Sequence, residues 1–168
     1  THAEVKRMMA VCDRDSTLGI RNLCILEVLY DAATRNEEPR DILLSHIALT
    51  EGRLRIEDGK GGVQAYVPLG QWTCKHLKFY LDKVRPELLK PDKHSDHLFL
   101  NVRGEGCGKN LIGNVVEKVA QEAGIKKHVT PHVFRHSVAT MLLQGGGDIR
   151  VIQKYLRHKC LSTTQRYT

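Results

Sequence analysis

A histidine and an arginine lie three residues apart where a helix is predicted to begin. Thr130 is a favourable N-cap and Pro131 fits the first helical position, so we expect a helix from here to about Gln144. His132 and Arg135 then project from one face. The positive end of the helix dipole and its free N–H groups favour an anion, so this turn could bind a phosphate. The alternative is a surface helix on which both residues are incidental.

A second histidine and a tyrosine follow near the end of the sequence. Asp148 is predicted to cap an apolar helix that runs to about Leu156, and His158 comes directly after it. Tyr167 follows nine residues later. A phenol can act as a covalent nucleophile, although a tyrosine at such a position, taken alone, is most often packed or simply terminal.

The positive charge of the chain is confined to its last quarter. Residues 125–168 contain eight Lys or Arg and one acidic residue, so they account for the whole net charge of +7. Residues 1–124 contain equal numbers of basic and acidic residues. A basic surface of this kind suits a polyanion such as the DNA backbone, and the alternative is an ordinary solvated surface.

The remaining composition excludes several other classes of protein. No apolar run approaches the ~20 residues of a membrane helix, and the first residues do not form a signal peptide. The five cysteines form no Cys-x-x-Cys pair, which argues against structural zinc and against a disulfide framework. We therefore expect a protein of the reducing cytoplasm, without contact to a membrane.

Apolar periodicity predicts a mainly α fold with a small antiparallel β-sheet, an α+β class. A glycine-rich turn at 58–62 between two short alternating segments is a strong hairpin signal. Helices are expected at about 1–14, 20–33, 37–44, 71–84, 109–123, 130–144 and 148–156, with another from about 162, and strands at 47–49, 53–57, 64–69 and, as a strand or extended piece, 98–100. A polar loop is expected at 86–96. The 168 residues suit a single domain.

Residues 130–136, 152–158 and 163–167 resemble the C-terminal signature of the tyrosine recombinases, the phage integrase family. That family uses two arginines, a lysine on a β-hairpin, two histidines and a tyrosine. Residues 29–38 are similar to its first-arginine block, and residues 58–62 to its hairpin. The resemblance covers essentially the whole chain, and every catalytic position is filled in order.

The resemblance implies a phosphate clamp and a nucleophile. Arg35 and Arg135 would each bind non-bridging oxygens of the phosphate bidentately, a geometry that lysine cannot reproduce. Tyr167 would attack phosphorus and form a 3′-phosphotyrosyl bond. This bond conserves the energy of the broken phosphodiester, so rejoining needs no ATP. Glu38, three residues after the first arginine, would help to orient the site.

It also implies the proton transfers. His132 would act as general base towards the phenol, whose ordinary pKa lies near 10. Lys60, on the hairpin, would be the general acid for the departing 5′-oxygen, and His158 would donate a hydrogen bond to the phosphate. The arginines supply the cationic charge, so we expect neither a metal nor another cofactor. Contacts to the DNA backbone are expected from Lys126, Lys127, Arg157 and Lys159.

Three positions depart from the family pattern. Ala33 and Thr34 replace the usual Gly-Leu before Arg35, Pro39 follows Glu38, and Arg157 replaces the common glycine before His158. None of these changes removes a catalytic group, but the last adds charge beside the phosphate site.

The expected partners are double-stranded DNA and other recombinase protomers, assembled as a tetramer on DNA. We expect residues 1–168 to be a single catalytic domain, with the family's N-terminal DNA-gripping domain and C-terminal docking tail absent from this chain. Two alternatives stay open: relaxation of supercoiled DNA in the manner of a type IB topoisomerase, and a DNA-binding module without catalysis.

Overall fold

Helices form where apolar residues recur at helical spacing and where caps satisfy the first N–H groups. The computed structural model describes residues 1–57 and 64–157. Its α-helices are α1 (His2–Val11), α2 (Thr17–Asp31), α3 (Glu38–Asp41), α4 (Gln71–Phe79), α5 (Arg85–Leu88), α6 (Leu111–Glu122), α7 (Pro131–Gln144) and α8 (Ile149–Tyr155). Thr1 caps α1 and Ser16 caps α2, each with its side-chain oxygen.

Three short strands form one antiparallel sheet in the order β1 (Ile47–Ala48), β2 (Arg53–Glu57) and β3 (Gln64–Pro68). Leu54 and Val67 are register partners and both are buried, so one face of the β2–β3 pair lies against the core. The pairing runs to Glu57 opposite Gln64, which confirms the predicted hairpin. Its glycine-rich turn lies outside the described residues.

Helix α2 is the centre of the main core. Every residue from Arg21 to Leu29 is buried, which is the behaviour expected of a helix that is apolar on nearly all sides. α2 packs against α4 and α7, and its C-terminal end leads directly to the predicted first catalytic arginine. The predicted fold class, mainly α with a small antiparallel sheet, is confirmed.

The region after α4 differs from the prediction. The helix continues through a π-helical segment, Tyr80–Val84, into α5, because Pro86 sits in the first turn of α5, where its missing N–H costs little. The predicted polar loop therefore begins only after Leu88. Residues 98–100 are fully buried but are not a regular strand, since isolated bridges form only at His97, with Leu43, and at Leu100, with Gly106.

The last two described helices begin and end close to the predicted positions. α7 begins at Pro131 and is followed by Gly145, and the Asp148 side chain accepts a hydrogen bond from the backbone N–H of Arg150 at the start of α8. A second, smaller core joins these helices to the segment after α2, through Ala33, Val138, Ala139, Ile152 and Leu156. The helix predicted from about residue 162 lies outside the described residues.

Membrane insertion finds no support among the described helices, since each is too short or too polar to cross a bilayer.

His46 should make folding sensitive to acid. Its ring is 6% exposed, and its Nδ1 accepts a hydrogen bond from the Leu43 N–H at 3.2 Å, a bond that protonation would abolish. Burial, and then the charge of Arg55, lower the pKa of His46 below its ordinary 6.5, against an opposing effect of Glu57. The stability that neutral His46 contributes is therefore fully present above pH 6.5 and is lost as the pH falls through the lowered pKa.

We expect the free energy of unfolding of the unmodified chain to fall more steeply as the pH drops below 6.5 than that of His46→Asn, whose amide oxygen keeps an acceptor but does not titrate. Urea unfolding at several pH values measures this slope. His94→Asn is the control, because that side chain is 89% exposed and should leave the slope unchanged. Equal slopes for His46→Asn and the unmodified chain would contradict the prediction.

Candidate active site

The segment after α2 turns sharply and presents Arg35. Ala33 has φ 43°, in the left-handed region, and Thr34 is completely buried. The backbone N–H of Arg35 donates to Glu38 Oε2 at 2.7 Å, and its Nη1 donates to Glu38 Oε1 at 3.2 Å. Glu38 at the start of α3 thus holds both the backbone and the side chain of Arg35.

Arg135 enters the same region from α7, but from below the surface. Arg135 is only 2% exposed, so its guanidinium group is desolvated. Nη1 donates to the Ala33 carbonyl at 2.6 Å, and Nη2 donates to the carbonyl of Leu156. Arg135 therefore joins the turn after α2 to the end of α8.

The two predicted clamp arginines converge on one turn. Arg35 Nη2 donates to the Arg157 carbonyl at 3.0 Å, and Arg135 donates to the preceding carbonyl, that of Leu156. Two guanidinium groups from distant parts of the sequence thus bind consecutive carbonyls. The turn leads directly to the residues that carry the predicted histidine and tyrosine.

Arg157 itself points inwards. Its Nη2 lies 2.6 Å from Glu38 Oε2, and its Nη1 donates to the Ala32 carbonyl at 3.1 Å. The side chain is only 12% exposed. The sequence predicted a contact to the DNA backbone for Arg157, and in this arrangement its charge is directed at Glu38 instead.

The other predicted residues of α7 and its approach lie at the surface. His132 is exposed in the first turn of α7, where the Thr130 side chain makes no capping hydrogen bond. A cleft of about 230 Å³ beside it is lined by residues that include Asn36 and Lys109. Lys126 and Lys127 are exposed, and Lys127 Nζ lies 2.7 Å from Glu4 of α1.

Lys60, His158, Tyr167 and Lys159 lie outside the described residues, so their places in the site stay predictions.

A second cleft next to Arg35 was not predicted. It measures about 520 Å³ and lies between the α3 segment and β2. Arg55 and Glu57 project into it from β2, and His46 from the turn before β1. The only signal in the sequence was the strand alternation that places residues 55 and 57 on the same face.

Tyr155, the described tyrosine nearest to this turn, is not arranged as a nucleophile. Its hydroxyl donates to the Asp31 carbonyl, and burial raises the pKa of the phenol above its ordinary value. Among residues 1–57 and 64–157, no group of three or more His, Cys, Asp or Glu side chains is placed to hold a metal ion.

The two clamp arginines should differ in their importance for stability. Arg135→Lys leaves at least one buried carbonyl without its donor, so we expect it to lower the free energy of unfolding by about 1–3 kcal/mol. Arg35→Lys should cost less than about 1 kcal/mol, because the 38% exposure of that side chain lets water replace the lost bonds. Urea unfolding followed by circular dichroism measures both, and equal losses would contradict this assignment.

Comparison with known proteins gives one consistent result. The model of the phage integrase family matches residues 1–168. The chain is 36% identical over 165 residues to the tyrosine recombinase XerD of Listeria innocua, covering 98% of the chain and 55% of that protein. It is 40% identical over 154 residues to XerD of Mycobacterium tuberculosis, covering 92% of the chain and 49% of that protein.

Solved structures agree with these relatives. The XerA recombinase superimposes with a TM-score of 0.88 at 34% identity, over the whole chain and 58% of that structure. The XerH site-specific recombinase, solved bound to a palindromic difH substrate as a post-cleavage complex, gives 0.82 at 26% identity, over 99% of the chain and 48% of that structure. The chain spans about half the length of the relatives it matches, and over that length it belongs to the phage integrase family, the tyrosine recombinases.

Proposed function

We propose that this chain is the catalytic domain of a site-specific recombinase, which cuts and rejoins double-stranded DNA through a 3′-phosphotyrosyl bond. The observation that carries the proposal is the convergence of Arg35 and Arg135 on consecutive carbonyls of one turn. A pair of guanidinium groups held this close suits one phosphate group with two non-bridging oxygens. Family membership supports the same reaction class.

The scissile phosphate replaces backbone carbonyls as the acceptor of the hydrogen bonds that the two arginines donate. An ionised phosphate oxygen adds an attraction between opposite charges that a neutral carbonyl lacks, so an incoming phosphate competes well for the arginine donors. Arg35, which is partly exposed, is the more accessible of the two. Arg135 is already desolvated, so its charge acts on the pentavalent state with little screening by water.

The covalent step needs a nucleophile and two proton transfers. The Tyr167 oxygen attacks phosphorus while His132 accepts the phenol proton, and the P–O bond to the 5′-oxygen breaks as Lys60 donates a proton to it. His158 donates a hydrogen bond to the phosphate. Rejoining reverses each transfer. The position of His132 at the exposed, positive end of α7 suits a residue that acts beside an anion.

Binding of the DNA backbone involves the basic last quarter of the chain. Lys126, Lys127 and Lys159 contribute to this surface, which sets the affinity and its dependence on salt. Exchange of strands between two duplexes requires four protomers on the DNA. Such a substrate places the protein in the cytoplasm with the nucleoid.

A covalent adduct with nicked suicide DNA tests the mechanism. On a denaturing gel, the unmodified protein should form an adduct with DNA that carries its target site, and Tyr167→Phe should form none. Arg35→Ala and Arg135→Ala should bind DNA but give little adduct, since each removes a donor to the transition state. Undiminished adduct from either variant would remove that arginine from the clamp.

Tyr155→Phe is the matched control. It deletes a phenol close to the same turn, but one whose hydroxyl is bound to a backbone carbonyl. Adduct from Tyr155→Phe together with none from Tyr167→Phe supports Tyr167 as the nucleophile. The reverse pattern would overturn that assignment.

The salt dependence of DNA binding tests the basic surface. Lys126→Gln should weaken binding to all sequences and reduce the slope of log K against log salt by about 1, as expected for one lost phosphate contact. Lys127→Gln should have the smaller effect, since Glu4 already neutralises part of that charge. Fluorescence anisotropy at several salt concentrations measures both slopes. A larger effect from Lys127 would contradict this order.

Relaxation of supercoiled DNA without recombination is the competing activity, because a type IB topoisomerase uses the same covalent chemistry. Relaxation at low protein concentration, scored beside recombination of two target sites, separates the two activities. A DNA-binding module without catalysis would give no adduct in any assay.

A further inference from the structure

Arg157 adopts a backbone conformation that its residue type does not favour. Its φ is 56°, in the left-handed region that glycine enters without a steric penalty and that other residues rarely adopt. The family pattern commonly has glycine here. An arginine at such a position is explained only if its side chain contributes something that outweighs the backbone cost.

The side chain of Arg157 binds the same carboxylate as the first clamp arginine. Glu38 Oε2 accepts from Arg157 Nη2 at 2.6 Å and from the Arg35 N–H at 2.7 Å, while its Oε1 lies 3.2 Å from Arg35 Nη1. The contact to Arg157 is thus the shorter of the two ion pairs. Glu38 is only 9% exposed, so water screens its charge weakly.

An uncompensated Glu38 would oppose the binding of phosphate in two ways. Its negative charge would repel the anion directly, and its ion pair with Arg35 would hold donors that the phosphate needs. A second cation on the carboxylate reduces both effects. The net charge of Glu38 together with Arg35, Arg135 and Arg157 is +2. Without Arg157 it would be +1.

We propose that Arg157 is a positioning residue that neutralises Glu38, so that Glu38 can orient the Arg35 backbone while the Arg35 guanidinium stays available to phosphate. The proposal rests on the proposed function of the site. Direct binding of DNA by Arg157 fits the geometry less well. The Arg157 side chain is 12% exposed against 38% for Arg35, and its shortest contact is to the carboxylate of Glu38. Its buried Nε has no acceptor among the described residues, a cost that the attraction of Glu38 must outweigh.

A double-mutant cycle tests this role. Arg157→Gly removes the charge and suits the left-handed backbone, so it should fold, and urea unfolding checks that it does. We expect it to slow formation of the suicide-DNA adduct about tenfold, within the range of couplings between contacting residues. In a Glu38→Gln background, where no charge remains to be neutralised, the same change should slow the reaction less than about twofold. Arg157→Lys should recover part of the rate.

Arg7→Gln is the control for net charge, because it removes an exposed arginine of α1 to which no site role is assigned. Equal losses from Arg157→Gly in both backgrounds would reduce Arg157 to a backbone support, and no loss in either would also overturn the proposal.

A second measurement separates this proposal from the proposed function. Inorganic phosphate should raise the melting temperature of the unmodified protein. The increase should be smaller for Arg157→Gly, and it should return to the full value for the double variant Arg157→Gly/Glu38→Gln. This pattern without any adduct from the unmodified protein would refute the covalent mechanism and keep the role of Arg157. An adduct without coupling in either assay would refute the role of Arg157 alone, and absence of both would refute both.

Discussion

The buried guanidinium of Arg135 is the interaction on which this site depends. It lies under the surface of α7 and donates to the carbonyls of Ala33 and Leu156, which end two other elements. Buried carbonyls require donors, and a group with five N–H bonds in a planar fork can serve two peptide segments together. Through this one side chain, the turn that presents Arg35 and the turn that follows α8 are held against each other.

Arginines also donate hydrogen bonds to backbone carbonyls away from the site. Arg21 of α2 is buried and donates to the Leu100 carbonyl, and Arg85 donates to the carbonyls of Ser95, His97 and Leu98. In each case an arginine on a helix satisfies backbone acceptors of a segment that lies outside the three described strands. Such segments can then contribute apolar side chains to the core without regular secondary structure. Arginine is therefore a structural donor in this chain, and under the proposed function Arg135 would also serve as a cation for phosphate.

Sequence reasoning succeeded where a local pattern carried the information. The β2–β3 pairing followed from a glycine-rich turn between alternating segments, and the start of α7 followed from Thr130 and Pro131. It failed where tertiary contacts decided the outcome. The bonds of Arg135 to two distant carbonyls and the inward direction of Arg157 have no local signature, because they depend on elements that meet only in the folded chain. The places of Lys60, His158 and Tyr167 stay predictions from the resemblance.

The two positions at which the sequence lacks the family's usual glycine explain how the backbone of the site is held. Ala33 and Arg157 both have positive φ, a conformation that costs a non-glycine residue about 1 kcal/mol or more. The left-handed geometry is therefore imposed by surrounding contacts rather than by residue preference. Those contacts include the guanidinium bonds, since Arg135 binds the Ala33 carbonyl and Arg35 binds that of Arg157. Under the proposed function, a phosphate that took over those donors would remove one restraint from each turn.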